Sequence, residues 1–238
     1  MNIKSIAYRI PQYSLRVAMP LLKIPEPPVL LGQGMLLRFP EVIATTGVKK
    51  ALIVAGPKVS KLGMIEPFIE ALETEGIDAI VFDGADPDPS FDNVYAALEM
   101  YLENHCDCIV GFGGGSSIDC AKITAAKVTN DKPIEKMAGL LHLNHRLPPF
   151  FAIPTTSGSG SEASIAAVIT NTENHQKVPI SDPRLCPLAT VLDPNLTVGL
   201  PAGITATTGM DALTHAIEAY IGLFDTAYVK EKALSSSR

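Results

Sequence analysis

The sequence predicts an α/β fold built on a parallel sheet, and three observations carry that expectation. Short apolar, β-branched runs recur about every ~30 residues, the rhythm of strand, crossover helix and parallel strand. Helical spacing of apolar residues fills the intervals between them. The third run, Cys108-Ile109-Val110, passes directly into Gly111-Phe112-Gly113-Gly114-Gly115-Ser116-Ser117 and then into a helical pattern of Ile118, Ala121 and Ala125.

Taken in order, residues 1 to 27 are interrupted by prolines and show no clear periodicity. Val29-Leu30-Leu31 reads as a short strand and Gly32-Gln33-Gly34 as a turn. The first clear unit is the strand Ala51-Leu52-Ile53-Val54-Ala55, closed by Gly56-Pro57 and followed by one helix carrying Leu62, Ile65, Phe68, Ile69 and Leu72 as far as Gly76. Ala79-Ile80-Val81-Phe82 is the next strand, Asp86 to Ser90 a proline-rich turn, and Val94, Leu98, Tyr101 and Leu102 mark a second amphipathic helix. In such sheets ligands settle beyond the carboxyl ends of the strands, where Gly56, Asp88 and the glycine run all fall.

Three successive glycines let the backbone adopt φ values that side chains forbid, so consecutive N–H groups can point into one concavity free of Cβ atoms. A helix beginning there adds the positive end of its dipole, and Ser116 or Ser117 is the expected cap, with Ser116-x-x-Asp119 a capping-box variant. Those features predict a pyrophosphate seat; the alternative is a glycine turn that merely packs the helix closely on its strand. The spacing matches neither Gly-x-Gly-x-x-Gly nor the Gly-Lys-Ser/Thr of nucleotide-hydrolysing loops.

Residues 129 to 149 read as a polar connection containing His142-x-x-His145, an exposed pair without nearby carboxylates. The strand Phe150-Phe151-Ala152-Ile153 then runs into Pro154-Thr155-Thr156-Ser157-Gly158-Ser159-Gly160-Ser161, whose hydroxyls and N–H groups are expected to line the same crevice. Ile165 to Thr170 and Lys177 to Ile180 form a hairpin pattern that projects Lys177, either as a surface charge or as a cofactor contact. Val191-Leu192 ends the sheet pattern, and from Pro201 the texture is helical. Asp211 and His215 stand four apart, which places carboxylate and imidazole on one helical face as a cation clamp or a local hydrogen bond.

The chain has 238 residues, 47% of them hydrophobic and 18% charged, enough for a substantial core. A net charge of −6 without a basic cluster argues against nucleic acid as partner and for a small molecule. No apolar run reaches membrane-spanning length. The N-terminal basic residues allow a transit peptide, but Pro11 and Pro20 interrupt an amphipathic helix there, favouring an ordinary segment. Cys106, Cys108, Cys120 and Cys186 have no secretory setting, so they are expected to be thiols of a cytoplasmic protein.

Taken together, Gly113-Gly114-Gly115-Ser116-x-x-Asp119-x-x-Lys122, Pro154-Thr155-Thr156-x-Gly158-x-Gly160-Ser161-Glu162 and Gly209-Met210-Asp211-Ala212-Leu213-Thr214-His215-Ala216-Ile217-Glu218 resemble the iron-containing (group III) alcohol dehydrogenases from about Leu30 to Tyr220. The resemblance implies a Rossmann-like parallel-sheet dinucleotide-binding domain over 1–198 and, over 199–238, the truncated start of an all-helical metal-binding domain. It implies that Gly113, Gly114, Gly115, Ser116 and Asp119 hold the pyrophosphate and nicotinamide side of NAD or NADP, that Thr155, Thr156 and Ser159 bind it further, and that Lys177 contacts it. Asp88 stands where many members carry asparagine, and Gly56 where NAD-preferring relatives place an aspartate against the adenosine ribose, which opens the site to NADP(H).

Asp211 and His215 match two of the four ligands, an aspartate and three histidines, that hold Fe²⁺, or Zn²⁺ in some relatives. The chain reads as interrupted before the other two, so impaired turnover is expected. The implied reaction is hydride transfer between NAD(P) and a primary alcohol or aldehyde, with a homodimer as the implied assembly. Alternatives are a dinucleotide-binding remnant without catalysis and a reductase like the glycerol dehydrogenases or maleylacetate reductases.

Overall fold

A computed structural model describes residues 25–222 and 226–237. The proline-interrupted segment before residue 25, where the transit-peptide question falls, lies outside the described residues. In chain order the elements are β1 (Val29–Leu31), α1 (Phe39–Ala44), β2 (Lys50–Ala55), α2 (Pro57–Lys61), α3 (Glu66–Thr74), β3 (Asp78–Phe82), α4 (Phe91–Glu103), β4 (Cys108–Gly113) and α5 (Gly115–Thr129). They continue with β5 (Gly139–Leu140), β6 (Phe150–Pro154), β7 (Ala166–Thr170), β8 (Lys177–Ser181), β9 (Ala189–Leu192), α6 (Ala202–Ile221) and α7 (Ala227–Ser236).

Among the described residues the strands make a six-stranded sheet, ordered β1-β9-β6-β4-β2-β3 and parallel throughout, and a three-stranded sheet, β5-β8-β7. The chain runs from β2 outward to β3, then crosses back to lay β4 on the other side of β2. The strand order therefore reverses between β2 and β4, and in open parallel sheets a crevice opens at that switch point.

Alternation along the strands divides the core into two. Leu52, Val54 and Ile109 face the layer of α4 and α5, packing with Val94, Tyr101, Ile118 and Ala121. Ile53, Val110, Phe112, Phe151 and Ile153 face the opposite layer with Phe39, Phe68 and Leu72. Phe39 meets Phe151 edge to face, and Phe68 meets Phe112 at a tilt, each pair with ring centroids 6.0 Å apart. Burial on both faces explains why these strands read as continuous apolar runs.

The single helix expected after Gly56 is two. Gly63, at φ +68°, ends the first, and Pro67, whose missing N–H costs nothing in a first turn, helps start the second. Leu62 consequently falls on the turn and is 73% exposed instead of joining the core. The expected connection over 129–149 also contains β5, which pairs in parallel with β8. The hairpin over 165–180 is present as β7 and β8, antiparallel, with Thr170 opposite Lys177.

Candidate functional site

The glycine run lies where the sequence placed it, at the carboxyl end of β4, but the helix is capped differently. Its N-cap is Gly114, with extended backbone and no side-chain cap. Ser116 instead donates its hydroxyl to the Pro87 carbonyl at 2.6 Å, and Ser117 is buried inside the first turn. The expected serine cap is thus corrected: Ser116 fastens the proline turn after β3 to the helix start. The helix begins on glycine because a side chain would not fit. A Cβ at Gly115 would lie 2.8 Å from Ser159 Oγ, and at Gly113, φ +146°, it would lie 2.6 Å from Ser117 Oγ.

Two further turns complete a cleft of about 540 Å³ around this helix start. Gly114, Gly115, Ser116 and Asp119 form one wall, Asp88 between its two prolines a second, and Thr156 and Ser159 of the loop after β6 a third. Lys177 stands at the rim, and Ile204, Thr208 and Asp211 enter from α6. The helix comes this close because Gly158 lacks a side chain: a Cβ there would lie 2.5 Å from the Thr208 carbonyl oxygen.

Gly56, Gly113, Thr155 and His215 shape or flank the cleft without lining it. Thr155 is buried, and its N–H donates to the Gly113 carbonyl at 2.9 Å, joining the two glycine-bearing loops. Gly56 backs against Ala85, whose carbonyl oxygen would lie 3.0 Å from an added Cβ. His215 Nε2 lies 3.9 Å from Asp211 Oδ1, one turn along α6, with the side chains 53% and 47% exposed.

The charges of the cleft are unevenly solvated. Lys177 Nζ lies 3.4 Å from Asp88 Oδ1, and both side chains are more than half exposed, so water screens this pair and it contributes little to stability. The same Asp88 oxygen accepts from the Thr170 hydroxyl at 2.9 Å. Asp119 is deeper: Oδ2 accepts the Val168 N–H at 2.9 Å, while Oδ1 is buried without a hydrogen-bond partner. Burial pushes the Asp119 carboxyl above the usual carboxylate range, against the opposing pull of the Val168 N–H, the Lys122 ammonium and the Ser161 hydroxyl.

Sequence reading did not single out Ser161, Ile204 or Thr208. The serine belonged to a hydroxyl run whose members were indistinguishable. The other two are ordinary helix residues whose only signal was the run of small residues opposite them, Gly158 to Gly160.

The seat fits an extended anion-bearing ligand on two counts: bare backbone where a Cβ would fill the space, and a helix start whose N–H groups no side chain caps. A metal fits less well. Asp211 and His215 supply two donors, and among the described residues no group of three or more His, Cys, Asp or Glu side chains comes together to hold an ion. A metal centre normally takes three or four protein ligands, so these residues do not make one by themselves.

A parallel sheet with a glycine turn and a bare helix start at its switch point defines a Rossmann-like α/β protein. Residues 27–194 match the family model described as iron-containing alcohol dehydrogenase. The 1,3-propanediol dehydrogenase of Citrobacter freundii is 44% identical over 177 residues, 74% of this chain and 46% of that protein. The NAD-dependent methanol dehydrogenase of Bacillus methanolicus is 36% identical over 195 residues, 82% of this chain and 51% of the relative. Among solved structures, a 1,3-propanediol oxidoreductase superposes with a TM-score of 0.86 at 37% identity, over 88% of this chain and 55% of its own. A sulfoacetaldehyde reductase from Bifidobacterium kashiwanohense, solved in complex with NAD⁺, gives 0.82 at 29% identity, over 90% and 57%.

The chain belongs to the iron-containing alcohol dehydrogenase family. It spans about half the length of the curated relatives it matches.

Proposed function

We propose that this chain binds a nicotinamide dinucleotide, NAD or NADP, along the cleft at the carboxyl ends of β2, β4 and β6, for hydride transfer between the cofactor and a primary alcohol or aldehyde. The observation that carries the reading is the seat formed by Gly114, Gly115 and Ser116. A helix start without a side-chain cap, facing a loop of glycine and hydroxyl residues, supplies N–H groups and a positive dipole end to a pyrophosphate. The bound dinucleotide supplies the hydride acceptor or donor. The chain's own part is to orient it: Ser116 holds the proline turn against the helix start, Thr156 and Ser159 offer hydroxyls to its polar groups, and Lys177 offers an ammonium.

Gly56 favours NADP(H) as a cofactor alternative, because no carboxylate stands there to repel a 2′-phosphate. Asp211 and His215 are proposed as two ligands of a divalent metal, Fe²⁺ or Zn²⁺. A homodimer and a cytoplasmic setting belong to the same reading; no helix among the described residues is long and apolar enough to cross a membrane.

The test is a calorimetric titration with NADH and NADPH of the wild-type chain and of Gly115→Val, whose side chain occupies the seat. Binding to the wild type and its loss in the variant support the proposal. No binding of either dinucleotide to the folded wild type rules it out. The incomplete donor set favours a second reading, binding without turnover. NAD(P)H formation from a panel of primary alcohols, with Fe²⁺ or Zn²⁺ added, decides against that second reading.

A further inference from the structure

Lys122 is a fully buried charge, 0% exposed, on α5 and one turn beyond Asp119. A buried ammonium is tolerated only where its donors are all used. Here Nζ donates to the Ser164 carbonyl at 2.7 Å, the Ala166 carbonyl at 2.9 Å and the Ser164 hydroxyl at 3.0 Å. Among the described residues it has no salt bridge within 4.0 Å, and its donors go mainly to the backbone at the start of β7.

The partners form a pattern. β7 is an edge strand of the small sheet, laddered to β8 on one side and, among the described residues, meeting only a single parallel bridge from Thr170 to Ser90 on the other. Such an edge leaves alternate backbone groups in need of partners. Val168 stands opposite Pro179 at a position where the antiparallel ladder points backbone groups outward, so its N–H faces away from β8. Along that outer edge the Ala166 carbonyl accepts from Lys122, the Val168 N–H donates to Asp119 Oδ2 at 2.9 Å, and the Thr170 N–H donates to the Pro89 carbonyl at 2.8 Å. Two side chains of α5 and the proline turn therefore take the place of a missing neighbour strand. Two of these contacts end on the cleft, since Asp119 and Pro89 line it directly, and Lys177 at its rim pairs in register with Thr170.

We propose that Lys122 is a positioning residue for the dinucleotide cleft. It fixes β7 against α5 so that the Val168 N–H holds the Asp119 carboxylate in place at the base of the cleft. This role rests on the proposed dinucleotide site. Three ionisable side chains influence the ammonium: Asp119 on α5 itself, Glu162 in the turn after the Thr155 to Gly160 loop, and Cys186 in the segment before β9. Burial lowers the lysine to about 8, with these three groups opposing the shift. The sign follows: below that pH the folded chain keeps the ammonium and all three donated bonds, and above it the charge beside Asp119 is lost while an unfolded lysine would still carry it. Dinucleotide affinity should fall as pH rises through about 8.

The test measures NADH and NADPH dissociation constants between neutral and alkaline pH for the wild type, Lys122→Met, Asp119→Asn and the double variant, with thermal melting as the folding control. At neutral pH, Lys122→Met should weaken binding roughly tenfold, the scale of one lost hydrogen bond to a charged group, and should flatten the pH profile. Added to Asp119→Asn it should change affinity little, because it acts through that carboxylate. If Lys122→Met does not fold, the wild-type profile decides: an inflection near 8 supports the role and a flat profile overturns it. A folded Lys122→Met that binds as the wild type does, or an effect fully additive with Asp119→Asn, also overturns it. Absence of binding by the wild type would instead refute the dinucleotide site itself.

Discussion

Replacing Gly113 with alanine tests whether the turn between β4 and α5 has room for any side chain. Two costs add at this position. The backbone sits at φ +146°, a conformation that L residues adopt only under strain of about 1–3 kcal/mol. The new methyl would also lie 2.6 Å from Ser117 Oγ and 2.9 Å from its Cβ, and because Ser117 is buried it cannot simply swing aside, an overpacking cost of about 1–3 kcal/mol. Together Gly113→Ala should destabilise the chain by about 2–6 kcal/mol, read as a lower midpoint in urea unfolding with unchanged slope. Adding Ser117→Ala removes the hydroxyl but neither the Cβ contact nor the strained φ, so it should restore only part of the loss. Should Gly113→Ala unfold within about 0.5 kcal/mol of the wild type, the size of an ordinary surface substitution, the claim that this turn requires glycine fails.

Further outcomes follow from the packing. Gly158→Ala drives a methyl into the Thr208 carbonyl at 2.5 Å, so α6 must move; dinucleotide affinity should drop while the sheet keeps its circular dichroism, and unchanged affinity would show that α6 does not shape the cleft. Phe112→Ala removes a fully buried ring that packs on Phe68 and should cost about 3–5 kcal/mol, measured by denaturant unfolding; a loss below 1 kcal/mol would contradict the assigned core. Burial raises Cys106, Cys108, Cys120 and Cys186 above the ordinary thiol range, with Cys120 pushed to about 12. All four should resist alkylation near neutral pH in the native chain and react on unfolding; prompt native labelling would be the contrary result.

The repeating strand and helix pattern, the glycine turn and the Asp211/His215 pairing on one helix face were legible because each is a local signal of spacing or backbone freedom. What escaped was set by tertiary contacts. β1 is three residues long, and nothing in Val29 to Leu31 says that it closes the sheet beside β9, the last strand in the chain. The serines after the glycines look like caps, yet Ser116 is drawn to the Pro87 carbonyl and Ser117 is enclosed. Lys122 is the clearest case. Lysine is exposed by default, and its burial shows in the sequence only as a helix apolar on nearly every side, with Ile118, Cys120, Ala121, Ile123 and Ala125 around it. Pocket-forming residues of α6 could not be paired with their loop before the chain was folded.

The central claim is that the dinucleotide lies at the carboxyl edge of the large sheet, on the bare start of α5. Amide hydrogen exchange of the chain with and without saturating NADH or NADPH locates the ligand without requiring turnover. The account predicts new protection over residues 113–119 and 155–161. Protection absent there, or concentrated instead at the opposite hollow lined by Arg146, Pro183 and Leu188, would contradict it.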